Sequence, residues 1–200
     1  MSNQRRATYE AFSIPYGRVC VRLGLTPNIL TALGLLTAAG AAVAFWQQRF
    51  LLGVALMLAT SFLDMLDGAT ARAGNLGTVF GGVLDHNVDR VGEFLILLGI
   101  VLSGHVHPGW GMYALFGMWS ASYARAAAES IGKLKNCAVG FVGRLEKFAL
   151  ILAGAVFEVF YPFHALEIAM IVVGTISFIT TIQRIVYTYR ELNGKSEGAH

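Results

Sequence analysis

The sequence predicts an all-α, polytopic membrane protein: six transmembrane helices preceded by an N-terminal interfacial amphipathic helix. Three observations predict it. Of 200 residues, 56% are hydrophobic and only 14% are charged, and the mean hydropathy is +0.60, a composition foreign to water-soluble domains. Six apolar runs, at 29–46, 51–69, 78–104, 109–131, 144–162 and 165–187, each approach the roughly 20 residues that cross hydrocarbon. Finally, basic residues gather at the ends of these runs that would share one side of a bilayer.

The elements follow in order. Residues 1–24 mix Arg5, Arg6, Arg18 and Arg22 with Tyr9, Phe12, Ile14, Tyr16, Val19, Val21 and Leu23. Arginine among aromatic and aliphatic side chains suits a helix lying in the membrane interface. An interruption is expected at Pro15 and Gly17. The segment has no cleavage-site pattern, so no secretory leader is expected. Thr26 and Pro27 then open the first crossing, as N-cap and first-turn residue. Asn28 and Thr31 follow, and by their chemistry alone they serve equally as capping residues. The longer runs fit tilted helices or cytoplasmic extensions. Short loops make one domain over 1–200: a juxtamembrane segment 1–24, a bundle 25–190 and a tail 191–200. The chain has no internal repeat, which argues against an inverted-repeat transporter.

Orientation follows from charge. With the N terminus inside, the cytoplasmic ends and loops hold fourteen of the 15 Lys and Arg residues, leaving Arg49 outside. The outer loops carry His105, His107 and His164 instead. The His105–His107 spacing suits a metal, but the pair lies on the outer side with no carboxylate expected nearby, and both read as loop residues. Cys20 and Cys137 fall on the reducing side, so no disulfide is expected.

Against this apolar background, one stretch concentrates acid. Asp64 and Asp67 are three residues apart, and Asp85 and Asp89 are four apart, so each pair shares a helix face. Gly68, Ala69, Ala71, Ala73, Gly74 and Gly77 lie between the pairs and permit close approach and a turn. The simplest picture is two helices facing each other, with two carboxylates on each. Four carboxylates this close repel one another, and Arg72 is the only basic residue among them. Hard divalent cations, Mg²⁺ or Mn²⁺, suit such oxygens. Two ions roughly 3.5–4 Å apart would clamp phosphoryl oxygens during a displacement. Solvated helix-end acids are the plainer alternative, but acids at membrane depth are costly and usually functional.

The pattern D-x-x-D-G-x-x-A-R, eight residues, G-x-x-x-D-x-x-x-D runs from Asp64 to Asp89. At every defined position it resembles the signature of the CDP-alcohol phosphatidyltransferases. The resemblance implies transfer of a phosphatidyl-type group from a CDP-linked lipid, CDP-diacylglycerol or CDP-archaeol, to an alcohol, with release of CMP. It implies Asp64, Asp67, Asp85 and partly Asp89 as ligands of two Mg²⁺ or Mn²⁺ ions, and Asp89 as general base. It implies CDP-lipid contacts from Asn28, Thr31, Asp64, Gly68, Ala71 and Arg72. It also implies a homodimer; the charge distribution places the acid cluster on the cytoplasmic side of the cell membrane, amid membrane lipids, and no nucleic acid partner is expected.

A second set of residues bears on the acceptor. Arg125, Lys133, Lys135, Arg144 and Lys147 form a cationic cytoplasmic group. It reads either as topology and lipid-headgroup contact or as a pocket for an anionic acceptor. Ser122-Tyr123-Ala124-Arg125-Ala126-Ala127-Ala128-Glu129 and Gly143-Arg144-Leu145-Glu146-Lys147 resemble the S-Y-x-R-A-x-x-E and E-R-x-E-R elements of the phosphatidylinositol-phosphate and archaetidylinositol-phosphate synthase branch. Gly143 replaces a Glu there and Lys147 replaces an Arg. The implied acceptor is inositol 1-phosphate, ahead of glycerol 3-phosphate and then serine. Two other classes remain: an ion or proton transporter using the aspartates, and a non-catalytic membrane scaffold.

Overall fold

The computed structural model describes residues 3–134, 137, 139–140, 142–161 and 164–197, with side chains from 12 to 193. The regular elements among these residues are helices: α1 (Asn3–Arg22), α2 (Pro27–Trp46), α3 (Phe50–Ala73), α4 (Val79–Leu102), α5 (Pro108–Ser130), α6 (Arg144–Phe160) and α7 (Ala165–Glu197). The six apolar runs recur as α2 to α7, with ends moved by at most four residues except at the end of α7. The helices divide into two units, 1–103 and 104–200.

Three details differ from the sequence expectations. Helix α1 passes through Pro15 and Gly17 without a break. Its packing against α3 holds it there, and Pro15 itself is exposed. Helix α7 continues to Glu197, so most of the expected tail is helical. Among the described residues, α2, α3 and residues 165–193 of α7 are long and apolar enough to cross a membrane. Helix α4 carries Asp85, Asp89, Arg90 and Glu93, and α6 has only 17 residues. Even so, these apolar helices make the chain an integral membrane protein.

In the first unit, α2 packs against both α3 and α4, and α1 packs against α3. Thr26 caps α2, its hydroxyl accepting from the Ile29 N–H at 3.4 Å, with Pro27 in the first turn as expected. Ala38, Ala41 and Ala44 form a buried small-residue seam along α2. Gly99 of α4 rests so close to the Ala42 carbonyl that a Cβ would overlap it. Membrane helices use such small residues to bring backbones together, because lipid supplies no hydrophobic drive for association. Gly17 does the same for α1, resting on the Ala69 carbonyl of α3. Ser13 and Cys20 share that buried face, whereas Phe12, Tyr16, Val19 and Leu23 form an exposed apolar stripe.

In the second unit, α7 packs against α5 and α6. Tyr113 and Phe178 stack with ring centroids 5.0 Å apart. His107 caps α5: its Nδ1 accepts from the Gly109 N–H at 3.1 Å, and its own N–H donates to Glu167 at 2.6 Å. His107 is therefore a capping residue, in keeping with its reading as a loop residue, but the Glu167 carboxylate does lie beside it, because the turn before α5 packs against the start of α7. Buried Glu158 of α6 accepts from the Leu166 N–H at 3.0 Å and so satisfies an orphan donor in the first turn of α7. Cys20 and Cys137 are both buried free thiols, as expected.

Candidate active site

The acid-bearing stretch folds as a helix, a tight turn and a second helix. Helix α3 ends at Gly74, whose N–H donates to the Thr70 carbonyl at 2.9 Å. Asn75 takes a left-handed φ of 51°, a conformation that Asn tolerates better than most residues. Thr78 then caps α4 by accepting from the Gly81 N–H at 2.9 Å. Five residues, 74–78, thus reverse the chain. Asp64 and Asp67 on the last turns of α3 meet Asp85 on the second turn of α4.

The meeting is tight. Asp64, Asp67 and Asp85 each offer one oxygen, and these oxygens lie within 4.8 Å of one another. Asp67 is buried, with 5% of its surface exposed, while Asp64 and Asp85 are half-buried. Two like charges at 4.8 Å cost roughly 3 kcal/mol at an effective dielectric of about 20. Three converging carboxylates therefore fit a hard divalent cation, which would turn that repulsion into attraction. Asp89 stands one helical turn beyond Asp85, half-buried, and is not among the three converging acids.

Beside the acids lies an open cleft of about 220 Å³. Asn28, Thr31, Asp67, Gly68, Ala71, Arg72 and Asp85 all line it. Five of the six residues expected at the CDP-lipid therefore line one cleft with Asp67, and the sixth, Asp64, belongs to the acid group. The cleft's far wall is Leu76, Gly77, Thr78, Gly81 and Gly82, which sequence reasoning did not assign to the site. Their signal was present, since Gly81 is a fixed position of the pattern and Thr78 is a cap three residues before it. Gly68 makes room for the Arg72 guanidinium: a Cβ at 68 would stand 3.3 Å from Nη1. The cleft thus offers a carboxylate edge, an arginine and a floor with little side chain.

The expected acceptor residues lie in the second unit. Arg125 on α5 donates from Nε to Glu129 Oε1 at 2.9 Å, and Glu129 also accepts from the Cys137 N–H at 3.1 Å. Lys133 is exposed in the loop after α5, at a left-handed φ of 54°. Arg144 and Lys147 occupy the first turn of α6, with Arg144 over the Phe148 ring at 5.4 Å. Lys147 is buried, at 6% exposure. Lys135 lies outside the described residues. Sequence reasoning counted Arg184 only as a cytoplasmic charge and missed its structural bonds. From α7 it donates to the Val139 carbonyl at 2.9 Å and to the Ala121 carbonyl, tying the α5–α6 loop to two helices. A lone arginine among apolar residues was the available signal.

The comparisons with known proteins agree with this geometry. The family described as CDP-alcohol phosphatidyltransferase matches residues 24–183. An archaetidylinositol phosphate synthase of Methanothermobacter thermautotrophicus is 35% identical over 96% of this chain and 96% of its own length. A phosphatidylinositol phosphate synthase of Mycobacteroides abscessus is 33% identical over 90% of this chain and 84% of its own. Among solved structures, the Mycobacterium tuberculosis phosphatidylinositol phosphate synthase with CDP-DAG bound superposes with a TM-score of 0.76. It is 30% identical and covers 88% of this chain and 93% of that one. The same enzyme in complex with manganese and citrate gives a TM-score of 0.77, at 30% identity and 88% coverage of both chains.

Proposed function

The chain belongs to the CDP-alcohol phosphatidyltransferase family, and on that premise we propose that it transfers a phosphatidyl or archaetidyl group from a CDP-linked lipid to inositol 1-phosphate, releasing CMP. The observation that carries this reading is the convergence of Asp64, Asp67 and Asp85 beside the cleft that holds Asn28, Gly68, Ala71 and Arg72. The relatives' substrates, named in their descriptions, support the choice of acceptor.

The division of labour follows from the residues. Gly68 and Ala71 let a nucleoside lie against the α3 backbone, and Asn28 supplies polar contacts from α2. Arg72 pairs with a phosphate. Two Mg²⁺ or Mn²⁺ ions held by Asp64, Asp67, Asp85 and partly Asp89 supply charge neutralisation to the pyrophosphate. Asp89 takes the proton from the acceptor hydroxyl. The hydroxyl oxygen bonds to the lipid-bearing phosphorus, and the bond from that phosphorus to CMP breaks, with its electron pair leaving on CMP.

Arg125, Lys133, Lys135, Arg144 and Lys147 bind the phosphate of the acceptor in this reading. Arg144, Glu146 and Lys147 share the first turn of α6, a net positive charge at a helix end whose dipole also attracts anions. A serine or free inositol acceptor would need no such group of cations. Six crossings, α1 lying in the interface on its Phe12–Leu23 stripe, a cytoplasmic site in the cell membrane and a homodimer complete the reading. Charge asymmetry along the sequence supports its orientation.

The test is product identification. Purified protein is given CDP-lipid, Mn²⁺ and, in parallel, inositol 1-phosphate, glycerol 3-phosphate, serine and free inositol. Release of CMP with a phosphoinositol lipid product, abolished by EDTA and restored by Mg²⁺ or Mn²⁺, is expected. Equal use of free inositol or serine would overturn the acceptor, and full turnover in excess EDTA would overturn the metal.

A further inference from the structure

Thr31 lines the cleft, yet its hydroxyl is already engaged. Oγ1 lies 2.9 Å from Asp67 Oδ2 and 3.0 Å from the Pro27 carbonyl on its own helix. Thr31 is 8% exposed and Asp67 is 5% exposed, so the bond is shielded from water. A hydroxyl has one proton to give, and the two acceptors compete for it. An ionised carboxylate accepts more strongly than a neutral carbonyl, so the proton goes to Asp67 whenever Asp67 is charged. The Pro27 carbonyl, one turn back on α2, is the alternative acceptor for that proton when Asp67 is neutral.

From this geometry we infer that Thr31 is a positioning residue for Asp67 and not a nucleotide contact. It occupies one lone pair of Oδ2 and fixes the carboxylate's rotation, leaving the remaining lone pairs for a cation. It does so from α2, a helix that supplies none of the four aspartates. The α2–α3 packing thereby becomes part of the metal site. Hydrogen bonds to ligating carboxylates set ligand orientation, and their loss typically costs about 10–100-fold in metal affinity. This inference rests on the reading of Asp64, Asp67 and Asp85 as metal ligands.

Mn²⁺ binding to the full-length protein, measured by calorimetry or by loss of the free-ion paramagnetic signal without nucleotide, tests it. Thr31→Val keeps the shape and removes the hydroxyl, and should weaken Mn²⁺ binding about 10–100-fold. Thr31→Ser restores the hydroxyl and should return binding to near the unsubstituted value, which separates this role from a packing defect. At saturating Mn²⁺ the CDP-lipid KM of Thr31→Val should stay within about twofold of the unsubstituted value, because the metal affinity carries the loss. Unchanged Mn²⁺ binding in Thr31→Val with a raised CDP-lipid KM would make Thr31 a nucleotide contact and overturn the inference. Equal weakening in both variants would reduce it to packing and overturn the inference as well. Failure of the unsubstituted protein to bind Mn²⁺ would instead remove the metal reading, and this role with it.

Discussion

The acid stretch of the first unit and the cationic stretch of the second solve opposite electrostatic problems. At the acid stretch, three carboxylate oxygens of one sign lie within 4.8 Å of each other, held by two helices and a five-residue turn. In the cationic stretch, Arg125 is bonded to Glu129 and Arg184 to two carbonyls. Arg125 thus has its countercharge within the protein, and Arg184 has acceptors for its N–H groups. Converged like charges carry repulsion that a ligand of opposite sign relieves, so substitutions there should remove function outright. Compensated cations have structural partners already, so substitutions there should tune affinity.

The comparison is broken most severely at the acids. Asp89→Asn should slow transfer about 10²–10⁴-fold, the scale of a lost general base, while leaving CDP-lipid binding largely intact and weakening Mn²⁺ binding far less than Asp67→Asn does. Asp67→Asn should lose Mn²⁺ binding as well as turnover. Parallel single-turnover assays and metal titrations distinguish the two. Equal loss of metal binding in both variants would make Asp89 a ligand first and remove its assignment as base.

A smaller effect is expected among the cations. Arg125→Ala and Arg144→Ala should each raise the acceptor KM about 10–100-fold, the worth of a charge-assisted bond of about 1.5–3 kcal/mol. The CDP-lipid KM should hardly move. Initial rates at varied acceptor concentration check this, and a normal acceptor KM in both variants would assign these residues to topology and headgroup contact. Arg125→Ala also removes the cation beside Glu129, so its effect should exceed that of Arg125→Lys, which keeps one there.

The smallest effect lies away from both stretches. Gly99→Ala places a methyl group against the Ala42 carbonyl, and such overpacking costs about 1–3 kcal/mol. A lower melting temperature in detergent is expected, with chemistry at low temperature preserved. An unchanged melting temperature would mean that α2 and α4 have slack at this crossing.

Much of the site was legible because its spacing is local. Asp64 with Asp67, and Asp85 with Asp89, share helix faces by periodicity alone, and the glycines between them mark the turn. The pattern of apolar runs likewise located α2 to α7, since a membrane span needs a fixed length of apolar chain. The continuity of α1 was not legible. A proline and a glycine weaken an isolated helix, and only contact with the Ala69 carbonyl shows why Gly17 belongs in one. The partner of Thr31 was equally hidden. Thr31 and Asp67 are 36 residues apart, and no periodicity links residues on different helices. Arg184 shows the same limit, because its acceptors at Ala121 and Val139 are backbone carbonyls, which every residue has and no sequence pattern marks. By itself the sequence determined the helices, the membrane class and the acids that face one another, all set by spacing along one chain segment. Only the tertiary structure decided that Asp64, Asp67 and Asp85 converge while Asp89 stands one turn away, and that α2 reaches into their site, because side chains from separate helices meet only where backbones pack.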